Sequence, residues 1–184
     1  MGNIKEALVK LLETRLFNIV AFNLLWLSCV VGRSSFLLIS VPLLSAYLWF
    51  LIDIKSVSLT SLLIPVAIGI ATDTALALAG VFQFHDSLFV IPLWLIVLWV
   101  GFATTLSQSL SVFGKNKWIA ACGGALAFPF NYGVGETLGA VSFGGTYLAT
   151  MAILALLWAA LLPLCFYLID TSLPTQPGDK NVTA

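Results

Sequence analysis

Residues 16–55 read LFNIVAFNLLWLSCVVGRSSFLLISVPLLSAYLWFLIDIK, two apolar runs divided by Arg33 and closed by Asp53 and Lys55. The runs are Leu16–Val31 and Phe36–Ile52. Helices of this length, rising roughly 1.5 Å per residue, approach the roughly 30 Å of a bilayer's hydrocarbon core. The same alternation continues along the chain, with spans expected at Leu59–Gly80, Leu88–Leu110, Trp118–Tyr132 and Thr146–Ile169. The expectation is an all-α, polytopic transmembrane helical bundle of about six spans.

Composition points the same way. Of 184 residues, 60% are hydrophobic and 9% charged, against roughly a quarter charged in soluble domains. A water-soluble fold could not hide so much apolar sequence, so lipid is the expected solvent. The formal net charge is zero, which gives no field to draw in a nucleic acid. The placement of the charges says more. With six spans and the amino terminus inside, Lys5, Lys10, Arg15, Lys55, Lys115, Lys117 and Lys180 fall on the cytoplasmic side and only Arg33 falls outside. That bias predicts an N-in, C-in topology in a bacterial inner membrane.

Three parts are expected: a cytoplasmic amphipathic segment over residues 1–15, a six-span domain over 16–170 and a disordered cytoplasmic tail over 171–184. Span one is too long for a secretory signal, and Trp26 is too bulky for a lipoprotein cleavage box. The fifth span is the weakest, because Gly123, Gly124, Pro129, Gly133 and Gly135 interrupt its helical character. A kinked or partly re-entrant segment, buried inside the bundle, or a five-span protein, is the alternative.

Asp73 carries the strongest functional signal. A carboxylate deep in span three costs several kcal/mol unless it is paired, solvated or protonated, so it should face inward. Gly69, Asp73, Ala77 and Gly80 share a helical stripe that lets a neighbouring helix approach. A buried structural hydrogen bond to Asn or Trp would leave the same trace as a proton carrier. Asn23 sits near mid-membrane with Trp26 about one turn on, while Asn18 lies nearer the cytoplasm. Span four places Gly101, Thr104, Thr105, Gln108 and Ser111 three and four apart, a polar face suited to packing or to a substrate path. Gly124, Phe128, Asn131 and Gly135 form a stripe around Pro129, and Trp94, Trp99 and Trp118 read as interface anchors or packing.

The outer loops supply Arg33, His85, Asp86 and Glu136, a set able to hold a headgroup or move a proton if the loops converge. His85 is the single histidine and has no second histidine to share an ion with, so no metal and no other cofactor is expected. Cys29, Cys122 and Cys165 lack metal spacing and read as small buried hydrophobes. No nucleophile elbow, phosphate-cradling glycine loop or HExxH motif is present.

Asn18, Phe22, Trp26, Cys29, Val30, Gly32, Gly69 and Asp73, followed by Pro92, Trp94, Leu98, Trp99, the run from Phe102 to Leu106, Ser109 and Leu110, form one pattern. It continues through Gly124, Ala125, Pro129, Tyr132, Gly135 and Leu138 to Val141. This pattern resembles a bacterial integral-membrane family catalogued as domain of unknown function 2878, over roughly residues 16 to 170. The resemblance implies small inner-membrane proteins, sometimes encoded near fatty-acid-modifying enzymes. It places Asp73, Thr104, Thr105 and Tyr132 within the family pattern and leaves Asn131 and Glu136 as this chain's own.

The leading functional expectation is a non-catalytic or accessory protein that binds a lipid or an apolar metabolite in a cavity lined by Asp73, Asn23, Trp26, Tyr132 and the span-four polar face. The expected partners are membrane lipids, with lipid-modifying enzymes or a second copy beside them. A small proton-coupled transporter using Asp73 is one alternative, although no three-plus-three repeat is visible. An intramembrane lipid-modifying enzyme with His85 as general base is another.

Overall fold

A computed structural model describes residues 2–84 and 89–172, apart from the side chains of residues 2–5 and 8. It is an all-α bundle. A short helix α1 (Gly2–Leu12) precedes six long ones: α2 (Arg15–Gly32), α3 (Leu37–Asp53), α4 (Leu59–Leu78), α5 (Leu93–Ser107), α6 (Lys117–Thr137) and α7 (Tyr147–Ser172). Three helical stretches, 15–53, 59–78 and 147–172, are long and apolar enough to cross a membrane, and α5 is a shorter apolar helix. The first stretch folds back through a 3-10 turn at Arg33–Phe36. Its two arms pack as a hairpin, with Ser28 hydrogen-bonded to Ser40 and Phe17 against Tyr47.

Local chemistry sets where the helices begin. Thr14 caps α2 by accepting the Phe17 N–H. Ser58 and Ser61 form a reciprocal capping box at α4, and Asn116 accepts the N–H groups of Trp118 and Ile119 at α6. These side chains satisfy donors that a helix start leaves without a partner.

Two expected spans shift their boundaries. The fourth span was expected at Leu88–Leu110, but α5 runs from Leu93 to Ser107. Pro92 is extended, at φ −73 and ψ 152, and a proline also drives the residue before it out of helical geometry. At the other end Gln108 leaves the helix, at φ −116 and ψ −88, and the Thr105 carbonyl collects the N–H groups of Gln108 and Leu110. The fifth segment, expected to break before Gly133, is instead continuous through Pro129 to Thr137. A proline withdraws one backbone hydrogen bond, and the α6 glycines let α7 press close enough to support the helix. The described residues therefore form six long helices.

The bundle buries its polar side chains among apolar ones and turns a greasy surface outward. Asn18 and Asp73 are 0% exposed, whereas Leu38 is 87% and Leu148 78% exposed. Water would penalise that arrangement and hydrocarbon favours it. At the centre, Trp158 of α7 stacks on Phe128 of α6 at 3.7 Å between ring centroids and on Trp99 of α5 at 5.3 Å. The α4–α5 and α6–α7 connections meet in a pair of two-residue strands, β1 (Phe82–Gln83) and β2 (Ser142–Phe143), antiparallel with Phe82 opposite Phe143. Arg33 donates to the Gly139 carbonyl at 2.5 Å, bringing the α2–α3 turn to that same end. At the opposite end, Gln108 donates to Ser56 at 2.9 Å.

Candidate functional site

Asp73 sits on α4, one turn after Gly69. A β-carbon on Gly69 would stand inside the Trp99 indole ring, so the glycine makes room for the tryptophan. From that slot Trp99 donates its Nε1–H to Asp73 Oδ2 at 2.7 Å, and Tyr132 of α6 donates its hydroxyl to Oδ1 at 2.5 Å. Both carboxyl oxygens are thus occupied, and one side chain joins α4, α5 and α6. Such bonds offset the cost of holding a carboxyl group in hydrocarbon. They also fix two rings: Trp99 continues into the Phe128 and Trp158 stack, and Tyr132 stacks on Phe82 at 4.8 Å.

Those rings form part of the wall of a cleft of about 730 Å³, a volume typical of a small-molecule site. Trp26 and Asn23 of α2, Trp99, Phe102 and Thr105 of α5, and Phe128, Asn131 and Tyr132 of α6 line it. It extends from Val30, Ala140 and Val141 at one end to Leu110, Phe113 and Phe166 at the other. Ile19 on α2 and Leu126 and Phe130 on α6 also line it and are exposed, so the cleft opens onto the apolar surface between α2 and α6. Asp73 itself does not line the cleft; it stands behind the aromatic wall.

Two carboxamides interrupt the greasy lining. Asn23 donates to the Ile19 carbonyl and Asn131 to the Ala127 carbonyl, each at 2.8 Å. A carbonyl can only accept, which identifies the bonding atom as the amide nitrogen in each case. Each amide oxygen remains available to a donor in the cleft.

The expected polar face of α5 divides in two. Thr105 bonds its own helix at the Phe102 carbonyl and lines the cleft. Thr104 and Gln108 turn instead into a network centred on Asn18. Asn18 donates to Thr104 at 3.0 Å and to Tyr47 at 3.3 Å, and its amide oxygen accepts from Ser109 at 2.6 Å. Tyr47 in turn donates to Gln108 at 3.4 Å. This network ties α2, α3 and α5 together with its groups paired, which is a packing role.

At the other end, Arg33 reaches the α6–α7 connection three residues beyond Glu136, which is half-buried. His85 and Asp86 lie outside the described residues. Cys29 and Cys165 are buried as expected, but Cys122 is exposed on α6, because its helix position faces away from α7.

Sequence reading missed two residues. Trp99 read as an interface anchor or packing, and its specific part, the donor that meets Asp73, was not assigned; the readable trace is a glycine one turn before a buried acid. Asn18 was placed only by depth, and its partners are 29 to 91 residues away.

No curated protein and no solved structure matches the chain. A family model does, over residues 15–164, where the buried Asp73, both of its donors and most of the cleft wall lie, and the chain therefore belongs to the family described as protein of unknown function (DUF2878).

Proposed function

We propose that this is a non-catalytic protein of the bacterial inner membrane that crosses the bilayer six times, N-in and C-in, and holds the hydrocarbon chain of a lipid or apolar metabolite in the cleft between α2 and α6. The observation that carries the reading is the cleft itself: about 730 Å³, walled by aromatic rings and open at the side. A lateral mouth admits a chain directly from the bilayer, without exposing it to water. Rings held in place by Asp73 offer a preformed surface, which lowers the ordering cost of binding.

The position of Asp73 favours this over proton-coupled transport. A proton carrier needs contact with the path, whereas Asp73 is fully buried and bonded to two wall residues. Its part here is to position Trp99 and Tyr132.

The test is native mass spectrometry of the purified full-length protein with its co-purifying lipids. Ala127 lines the cleft and is exposed, so Ala127→Trp fills the cleft without disturbing the core. Wild-type protein should retain a lipid adduct through detergent exchange, and Ala127→Trp should lose it. Equal retention by a folded variant would refute the proposal.

A further inference from the structure

A second cavity of about 680 Å³ lies at the lysine-bearing end of the bundle. Its character is opposite to that of the cleft. Lys55, Lys115 and Lys117 line it, together with the hydroxyl side chains of Ser56, Ser58, Ser61, Ser107 and Ser111. Asp170 is the one carboxylate on its wall, so cations outnumber anions three to one. No ion pair engages the three ammonium groups among the described residues, and Lys117 lies over the Trp118 ring, 5.6 Å from its centroid.

Two long helices begin at this cavity. Ser58 is the cap of α4 and Lys117 the first residue of α6, and each start carries the positive end of a helix dipole. The Ser107 hydroxyl is buried and has no hydrogen-bond partner, although Ser107 lines the cavity. A hydroxyl without a protein partner, in the wall of a cavity that three lysines also line, suits a ligand rich in acceptor oxygens.

The cavity also adjoins the apolar cleft. Phe166 lines both, and its ring rests where a side chain on Gly114 would stand. We infer that this cavity binds the phosphate group of an anionic lipid, whose hydrocarbon chain passes Phe166 into the cleft. The inference rests on the proposed function for the chain, while the phosphate site stands on its own residues.

The experiment measures binding to the full-length protein by native mass spectrometry, using phosphatidylglycerol and diacylglycerol with identical acyl chains, with inorganic phosphate added in a third arm. Wild-type protein should prefer phosphatidylglycerol, and Ser107→Asp, which leaves every lysine in place, should lower that binding about tenfold or more. Replacing the three lysines with glutamine should do the same, and with arginine should preserve it. Diacylglycerol binding should be unchanged in all variants. Equal binding of both lipids, insensitive to these substitutions, overturns the phosphate site and leaves the cleft standing. Binding of neither lipid overturns the proposed function; inorganic phosphate bound by wild type and lost in Ser107→Asp then supports a site for free phosphate, and its failure to bind overturns the site as well.

Discussion

The backbone carbonyl of Trp158 occupies the space that a β-carbon on Gly124 would need. Helices α6 and α7 therefore meet backbone to backbone, which is how small residues bring helices together in lipid. Gly124→Ala must push α7 away and loosen the Phe128 stack on Trp158. We expect a loss of about 1–3 kcal/mol, read as a lower unfolding midpoint in detergent. Gly123→Ala, whose added carbon meets only the edge of the Phe113 ring at 3.2 Å, should be the milder change.

At Asp73 the prediction separates charge from bonding. Asp73→Leu leaves the Trp99 and Tyr132 donors buried without an acceptor and should cost about 3 kcal/mol or more. Asp73→Asn keeps an acceptor for one donor and should cost about 1–2 kcal/mol. Thermal unfolding and tryptophan emission together check this, since Trp99 loses its partner in the first variant. An Asp73→Asn protein indistinguishable from wild type in stability and lipid retention would remove Asp73 from the account.

Asn18 and Asn23 are five residues apart on α2 yet should behave oppositely. Asn18→Leu leaves the Ser109 hydroxyl without its acceptor and removes the donor that Thr104 and Tyr47 share at a fully buried position, and should destabilise the protein by about 1–3 kcal/mol. Asn23→Leu changes an exposed cleft residue bonded only to its own helix, and should leave stability within about 0.5 kcal/mol. What Asn23→Leu should change is the set of lipids that co-purify.

Topology is checked by reporter fusions. Alkaline phosphatase joined after Gln83 or Gly144 should be active, and joined after Ser56 or Lys115 inactive. Activity at Lys115 would invert the arrangement.

Much of the fold was legible because hydrocarbon leaves few choices. Apolar runs between charge-bearing gaps located every long helix, and boundaries slipped where Pro92 and Gln108 imposed their own backbone geometry and where α6 ran on past Tyr132. The inward face of Asp73 and the small-residue stripe through Gly69 were readable from helical spacing. Their purpose was not, because the indole that fills the Gly69 slot comes from another helix, and no local pattern links residues 26 apart. The glycines of α6 misled for a related reason: alone they weaken a helix, and only contact with α7 shows what the closeness supports. The division of the α5 polar face into Thr105 toward the cleft and Thr104 toward Asn18 also depends on which neighbours stand on each side.

The most direct test of the cleft is photo-crosslinking from a benzophenone side chain placed at Phe102, inside it, and at Trp49, exposed on the outer surface of α3. In native membranes, followed by detergent exchange before illumination, position 102 should capture an acyl chain and position 49 should not. Equal capture at both positions, or none at 102 in a folded protein, would contradict the account.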